Sequence, residues 1–347
     1  MERVKQAYKD FGLARTIILV FFLLLCTVVL ARGLNFKDLF SSVLGRLPMD
    51  GVLVLAMVPG ILCGIGLNFG ISLGLIGGLL AMCISIEMGL VGWPAFLVAI
   101  LLAVFFSSFI GYGYGSALNR MKGSEMTVST YVGFSIVALM CIGWAVLPFK
   151  NPSIRWPMGD GLRNTIELGA SIGGILDTWG AFKIFGVTIP TGGILFFVMM
   201  CLLVWLFLRS KTGIAMQAVG QNPLFAEASG INVNRMRIVG TTLSTVIAAI
   251  GIITYSQSYG FMQLYNAPRM MAFQAVAAVL IGGASARKAK ISNVVIGTIL
   301  FQGILVMGIP VVNDVIKVQN LAEVIRIIMT NGIIIYALTR EGGEARA

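Results

Sequence analysis

Residues 189–208 read IPTGGILFFVMMCLLVWLFL, an apolar run without a charged side chain. About 20 such residues form a helix long enough to cross the ~30 Å hydrocarbon core of a bilayer. The rest of the chain has the same character, since 58% of its 347 residues are hydrophobic and only 11% are charged. Soluble domains carry about 25% charged residues. The composition therefore predicts an all-α, polytopic membrane protein and excludes an ordinary soluble enzyme.

Apolar runs of this kind recur along the whole chain. They predict a single transmembrane domain over residues 1–347 with about ten transmembrane helices. The first run is expected to be retained as a span, because no small-residue cleavage site follows it. The candidate spans lie near 16–31, 51–66, 69–89, 95–118, 126–147, 189–208, 238–258, 270–284, 291–309 and 323–339.

Two of these spans are irregular, and we expect them to be broken or re-entrant. Residues 64–78 read GIGLNFGISLGLIGG, with no polar loop between the second and third spans. The span at Met270–Gly283 is short and ends in two glycines. Non-helical backbone at membrane depth must be buried in protein or line a cavity, so such segments point toward a transport pathway. Ordinary glycine packing between helices is the alternative.

The basic residues indicate orientation. The 25 Lys and Arg residues outnumber the 14 Asp and Glu residues, and most of them fall in loops on one side of the predicted spans. The positive-inside rule then predicts cytoplasmic termini, a cytoplasmic segment at 209–237 and an extracytoplasmic loop at 148–188. We expect an interfacial helix near 162–175 in that loop. Because the charges follow span ends, no nucleic-acid partner is expected.

Several kinds of chemistry are excluded by absent residues. The sequence has no His, which removes Ser-His-Asp catalysis, Cys-His catalysis and imidazole metal sites. No GxxxxGK[ST] motif is present, so ATP hydrolysis would require another subunit. The acidic residues expected nearest the membrane are Glu87, Glu125, Asp314 and Glu323, and none is expected at mid-span. This pattern disfavours a proton-coupled carrier. We therefore expect no enzymatic activity, no cofactor and no metal.

The cytoplasmic segment 209–237 contains a pattern typical of a rigid elbow. Asn222 can cap a short helix that begins at Pro223 and covers Leu224–Ser229. Gly230 can end that helix, after which Ile231 leads back to the membrane. A helix–Gly–helix elbow suits a surface that receives force from a soluble partner, although an ordinary solvated loop fits the same residues.

The same segment resembles the coupling region of permeases from bacterial ABC importers of the ribose, galactose and xylose type. The matching residues are Thr212-Gly213, Ala218-Val219-Gly220, Asn222-Pro223, Ala226, Ser229 to Val233, and Ala275 to Ser285. The resemblance implies a cytoplasmic ABC ATPase subunit, an extracytoplasmic solute-binding protein and a second permease protomer in the inner membrane. It implies ATPase coupling through Gly220, Asn222, Pro223, Glu227, Ala228, Ser229, Gly230, Ile231 and Asn232.

The first half of the chain leaves the solute open. Asn68 replaces the Asp of the family's Gly-x-Asp-Leu-Ser run, and permeases for nucleosides and branched-chain amino acids resemble this chain there. Uncharged polar residues predict a neutral, hydroxyl-rich solute, most simply a monosaccharide. Nucleosides, branched-chain amino acids, a furanone signal and an ion-coupled carrier remain alternatives. The candidate pathway residues are Asn68, Ser72, Ser107, Ser108, Gln257, Tyr259, Gln274 and Gln302.

Overall fold

The computed structural model describes residues 13–157 and 161–316, together with residues 327, 328, 331, 332 and 335. Within these residues, seven helices are long and apolar enough to cross a membrane, and two apolar helices, Thr16–Ala31 and Ala267–Ile281, are shorter. The expected polytopic helical architecture is present, but a count of about ten transmembrane helices is not confirmed. The predicted span at 323–339 falls mostly outside the described residues.

The helices follow one another with short connections, apart from one long segment between α6 and α8. In chain order they are α1 (Leu13–Ala31), α2 (Phe36–Leu55), α3 (Met57–Leu62), α4 (Ser72–Glu87), α5 (Gly92–Asn119), α6 (Glu125–Val146), α7 (Ile175–Thr178), α8 (Thr191–Arg209), α9 (Lys211–Gln221), α10 (Pro223–Ala228), α11 (Val233–Tyr259), α12 (Ala267–Ile281) and α13 (Ile291–Ile316).

Helix α11 forms the centre of the bundle and packs against α2, α4 and α5. Helix α4 is buried along nearly its whole length. Gly74 and Gly78 make this packing possible, because a Cβ at either position would overlap the carbonyl oxygen of Thr245 or Ala249 in α11. Small residues let membrane helices approach closely, and here they place α4 in the protein interior instead of against lipid.

Helices α5, α6 and α8 present apolar faces to the surroundings. Large exposed side chains recur at helical spacing along each of them: Leu97, Leu101, Phe105 and Phe109 on α5, Tyr131, Leu139, Ile142 and Val146 on α6, and Leu195, Val198, Leu202 and Leu206 on α8. Contiguous apolar surface of this extent is unfavourable in water and is compatible with lipid. The chain is a multi-pass membrane protein.

The second span begins earlier than the sequence predicts. It was expected at 51–66, but helix α2 starts at Phe36 and contains Pro48. Charged residues in its first half, including Lys37 and Arg46, interrupt the apolar run on which the prediction depended. As a consequence Asp50 lies inside a helix and is only 8% exposed. The expectation that no carboxylate lies at mid-span is therefore wrong.

The two predicted irregular segments are both present, and they contact each other. Gly64 and Gly66 adopt positive φ angles of 82° and 84°, and a 3-10 turn at Phe69–Ile71 precedes α4. Helix α12 has 15 residues and is about 22 Å long, too short to cross a bilayer. The Ser72 hydroxyl donates a hydrogen bond to the Pro268 carbonyl at 2.8 Å, so the helix break before α4 meets the start of α12.

The long segment after α6 is mostly irregular, and the helix predicted at 162–175 is wrong. This region forms strand β1 (Thr165–Glu167), which pairs with β4 (Phe261–Gln263) in antiparallel register, with Ile166 opposite Met262. Strands β2 (Phe182–Ile184) and β3 (Val187–Ile189) form a hairpin. The buried residues Leu162 and Ile166 are four residues apart, as on one face of a helix, but Gly169, Gly173 and Gly174 favour turns.

The bundle has two ends, which α11 separates. This helix runs from Val233 to Tyr259, and its 27 residues span about 40 Å. We call the end that carries residues 209–237 the elbow end and the end that carries residues 148–190 the loop end. The loop end is fastened by Glu87, whose carboxylate accepts hydrogen bonds from the backbone N–H groups of Lys150 (3.0 Å) and Asn151 (2.9 Å).

Candidate functional site

The elbow, residues 220–233, is a capped helix between two other helices. Asn222 Oδ1 accepts a hydrogen bond from the Phe225 N–H at 3.0 Å, and Pro223 occupies the first position of α10. Gly230 ends the helix with φ 79°, a left-handed conformation that favours glycine. Asn232 Oδ1 then caps α11 by accepting from the Arg235 N–H at 2.9 Å. The local structure matches the prediction, with α10 covering Pro223–Ala228.

The structure gathers the predicted coupling residues into one protrusion at the elbow end. Two of them, Gly220 and Ile231, are partly buried. The others are exposed: Asn222, Pro223, Glu227, Ala228, Ser229, Gly230 and Asn232. Only Ala226 in α10 is fully buried, so it anchors the helix. The cluster is a contiguous exposed surface at the elbow end.

Two further residues of the elbow were missed by sequence reasoning. Leu224 is 80% exposed and Phe225 is 66% exposed, although both are large and apolar. Adjacent exposed apolar side chains on a capped helix are typical of a protein-binding surface. Their signal was present in the sequence, where two large apolar residues directly follow the Asn222-Pro223 cap.

Helix α9 connects the elbow to the broken span. Met216 and Val219 are buried, and Gln217 Nε2 donates to the Leu208 carbonyl at 2.8 Å. Gly220 lies against the end of α3, because a Cβ there would overlap the Leu62 carbonyl oxygen and approach Gly64 N at 3.0 Å. Backbone packed this closely transmits displacement, so movement of the elbow would reach the helix break at 63–68.

The helix break is organised by Asn68, which is fully buried. Its Oδ1 accepts hydrogen bonds from the Gly70 N–H at 3.0 Å and the Tyr114 hydroxyl at 2.7 Å. Its Nδ2 donates to Ser244 Oγ at 3.2 Å, and Ser244 in turn donates to the Ala56 carbonyl at 2.7 Å. The Asn68 side chain thus joins the 3-10 turn before α4 to α5 and α11, and Ser244 extends the network to Ala56, between α2 and α3.

An ion pair holds the elbow end together. Arg237 of α11 contacts Glu125 at the start of α6, and both side chains are largely buried. The Asn119 side chain at the end of α5 donates to the Asn234 carbonyl at 2.8 Å. A buried charge needs a partner, so this pair fixes α6 against the first turn of α11, next to the elbow.

Of the eight predicted pathway residues, only Gln274 and Gln302 line a common cavity. That cavity lies between α2, α12 and α13 and also contacts Asp50 and Thr298. Asn68 lies in the helix break before α4, and Ser72 is the first residue of α4. Both side chains are hydrogen-bonded. These four residues lie between helices of the described bundle, and their assignment to a solute pathway stays a prediction.

The other four predicted pathway residues lie apart and have separate roles. Ser107 packs against Gly77, and Ser108 donates to the Val104 carbonyl and lines an outer groove between α5 and α11. Gln257 accepts from the Leu176 N–H at 3.1 Å, which positions α7. Tyr259 stacks on Tyr255 at the end of α11. Their assignment to a solute pathway also stays a prediction.

The loop end contains an open cavity of about 280 Å³. The polar residues that line it are Ser41, Ser42, Arg46, Asp177, Thr188 and Ser258. Burial raises the pKa of the Asp177 carboxyl above its ordinary value, and a hydrogen bond with Ser258 opposes this shift. A small cavity lined by hydroxyls with one acid and one base suits a small polar molecule.

Comparisons with known proteins give a consistent set of relatives. A family model described as branched-chain amino acid transport system, permease component, matches residues 48–335. A nucleoside ABC transporter permease protein of Lactococcus lactis subsp. cremoris is 24% identical over 76% of each chain. The ribose import permease protein of Escherichia coli K12 is 26% identical over 84% of this chain and 82% of its own. The galactofuranose transporter permease protein of the same strain is 26% identical over 58% of this chain and 66% of its own. No solved structure matches.

Proposed function

This chain belongs to the branched-chain amino acid transport system permease family, and we propose that it conducts a neutral, hydroxyl-rich solute through the membrane. It is an ABC importer permease of the sugar and nucleoside type. Permease subunits of this kind are transport components, so the chain is not expected to hydrolyse ATP. The elbow is the observation that supports ATP-driven transport, and the loop-end cavity supports the class of solute.

We propose that the elbow docks into a cytoplasmic ABC ATPase subunit. Leu224 and Phe225 supply apolar contacts, and the capped ends of α10 keep them in a fixed orientation. Closure of the ATPase would displace α9, and Gly220 would pass that displacement to the break beside Asn68. Switching requires two global states separated by a few kcal/mol, which a bound partner can bias.

The proposed orientation follows from charge. Basic residues lie in the terminal turns of helices at the elbow end or in the loops beside them: Arg120, Lys122, Arg209, Lys211, Arg235, Arg287, Lys288 and Lys290. The positive-inside rule places this end in the cytoplasm. The loop end then faces outward, where an extracytoplasmic solute-binding protein would deliver the solute to the cavity near Arg46 and Asp177. A second permease protomer, identical or similar, would complete the unit.

The solute class is supported by the polarity and size of the loop-end cavity. Its volume of about 280 Å³ lies near the lower limit of ligand pockets, about 300 Å³, which suits a monosaccharide. The ribose and galactofuranose permeases among the relatives favour the same class. Nucleosides are the second candidate, because the nucleoside permease matches over 76% of both chains.

Competition for uptake tests this proposal. Vesicles that carry the complete transporter would be assayed for ATP-dependent uptake of labelled ribose and, separately, of labelled uridine, each with unlabelled ribose, galactofuranose, uridine and leucine as competitors. We expect at least one sugar to be transported or to compete at micromolar concentration, and leucine to have no effect. Uptake of uridine that no sugar reduces would establish the nucleoside candidate. Competition by leucine alone would contradict a hydroxyl-rich solute.

A further inference from the structure

A very small cavity lies in the bundle interior between α2, α12 and α13. Its volume of about 10 Å³ accommodates roughly one water-sized particle. The polar residues that line it are Asp50, Gln274, Thr298 and Gln302, and its other walls are apolar, with Leu53 and Phe301 among them. No part of the proposed coupling mechanism uses this cavity.

Three oxygen atoms at this cavity have unmet hydrogen-bonding capacity. Asp50 Oδ2, Thr298 Oγ1 and Gln302 Oε1 have no hydrogen-bond partner in the part of the chain that the structure describes. The three residues are 8%, 0% and 4% exposed. Buried acceptors are almost always satisfied in folded proteins, so three at one cavity point to a bound species that interacts with oxygen.

We propose that Asp50, Thr298 and Gln302 bind one monovalent cation. Carboxylate, hydroxyl and amide oxygens are the ligands that hard cations prefer. The single carboxylate supplies one negative charge, which a monovalent ion neutralises and a divalent ion would exceed. An unpaired buried carboxylate is otherwise strongly unfavourable. Arg46, one turn before Asp50 on α2, lines the separate loop-end cavity.

The site would have a structural consequence independent of the solute. Its ligands come from α2 and α13, and α12 closes the third side. Because α12 is the short helix whose first turn contacts the break before α4, a cation would fasten that helix between two full-length ones. The cation site goes beyond the transport proposal and can fail without affecting it.

Thermal unfolding of the full purified chain tests the cation site. Unfolding temperatures would be compared in equal concentrations of Na⁺, K⁺ and N-methyl-D-glucamine chloride, the last being too large for the cavity. A ligand that binds only the folded state stabilises it by mass action. We expect Na⁺ or K⁺ to raise the unfolding temperature of the native chain, with saturation, and Asp50→Asn to abolish the difference between salts.

Two further variants make the test specific. Asp177→Asn removes a different partly buried carboxyl and should retain the full cation response. Thr298→Val keeps the side-chain shape and removes one ligand, which should raise the half-saturating cation concentration by about tenfold. Equal unfolding temperatures of the native chain in all three salts would overturn the proposal, as would an unchanged cation response in both Asp50→Asn and Thr298→Val.

Discussion

Replacing Leu224 and Phe225 together with Asp is expected to abolish ATP-driven uptake while the chain still folds and inserts. Both side chains are exposed, so the change removes no internal packing, and the caps at Asn222 and Asn232 remain. Large apolar residues at the centre of an interface contribute about 2 kcal/mol or more each, or roughly 30-fold in Kd. The double variant should bind the ATPase at least about 100-fold more weakly.

The measurement is the affinity of the purified variant for its ATPase subunit, together with ATP-dependent uptake. Phe185→Asp is the matched control, because Phe185 is 91% exposed and lies in the hairpin at the loop end. It should bind the ATPase like the native chain. Native affinity in the Leu224 and Phe225 variant would show that the elbow is an ordinary solvated loop.

Replacing Asn68 with Leu is expected to destabilise the chain strongly. The substitution removes three hydrogen bonds, leaves the Gly70 N–H buried without a partner, and leaves the Tyr114 hydroxyl with only its contact to Ser129. Each unsatisfied buried group costs about 1–3 kcal/mol, so the total should reach about 3 kcal/mol. The loss would appear in denaturant or thermal unfolding of the purified chain and in the amount of protein inserted.

Two comparisons separate this effect from the general cost of changing a buried residue. Ser72→Ala removes one hydrogen bond, to the Pro268 carbonyl, and should cost about 1 kcal/mol. Tyr114→Phe combined with Asn68→Leu should cost less than the sum of the single changes, because both remove the same contact. An Asn68→Leu variant no less stable than Ser72→Ala would contradict the central role of Asn68.

Local features of this fold were predictable from the sequence. Apolar runs located the described spans, and the Asn222, Pro223 and Gly230 pattern gave the elbow to within one residue, because caps and breakers act over a few residues. The apolar-run criterion failed for the start of α2, where Lys37 and Arg46 precede the buried stretch. It therefore missed that Asp50 is buried within a helix.

The assembly of the interior could not be predicted in the same way. Contacts between Ser72 and Pro268, or between Gly64 and Gly220, join residues far apart in the chain, and no local pattern reports them. Gln257 and Tyr259 were assigned to the pathway by polarity alone, yet both lie at the loop end, where they support α7 and an aromatic cluster. Polarity identifies a buried polar group without showing which partner satisfies it.

The most direct test of the account is solute uptake into liposomes that contain the purified chain, measured with and without its ATPase and solute-binding protein. We predict no uptake by the chain alone, even under an imposed Na⁺ or proton gradient, and ATP-dependent accumulation once both partners are added. Accumulation by the chain alone, driven by an ion gradient, would contradict the claim that this subunit only conducts and would establish an ion-coupled carrier.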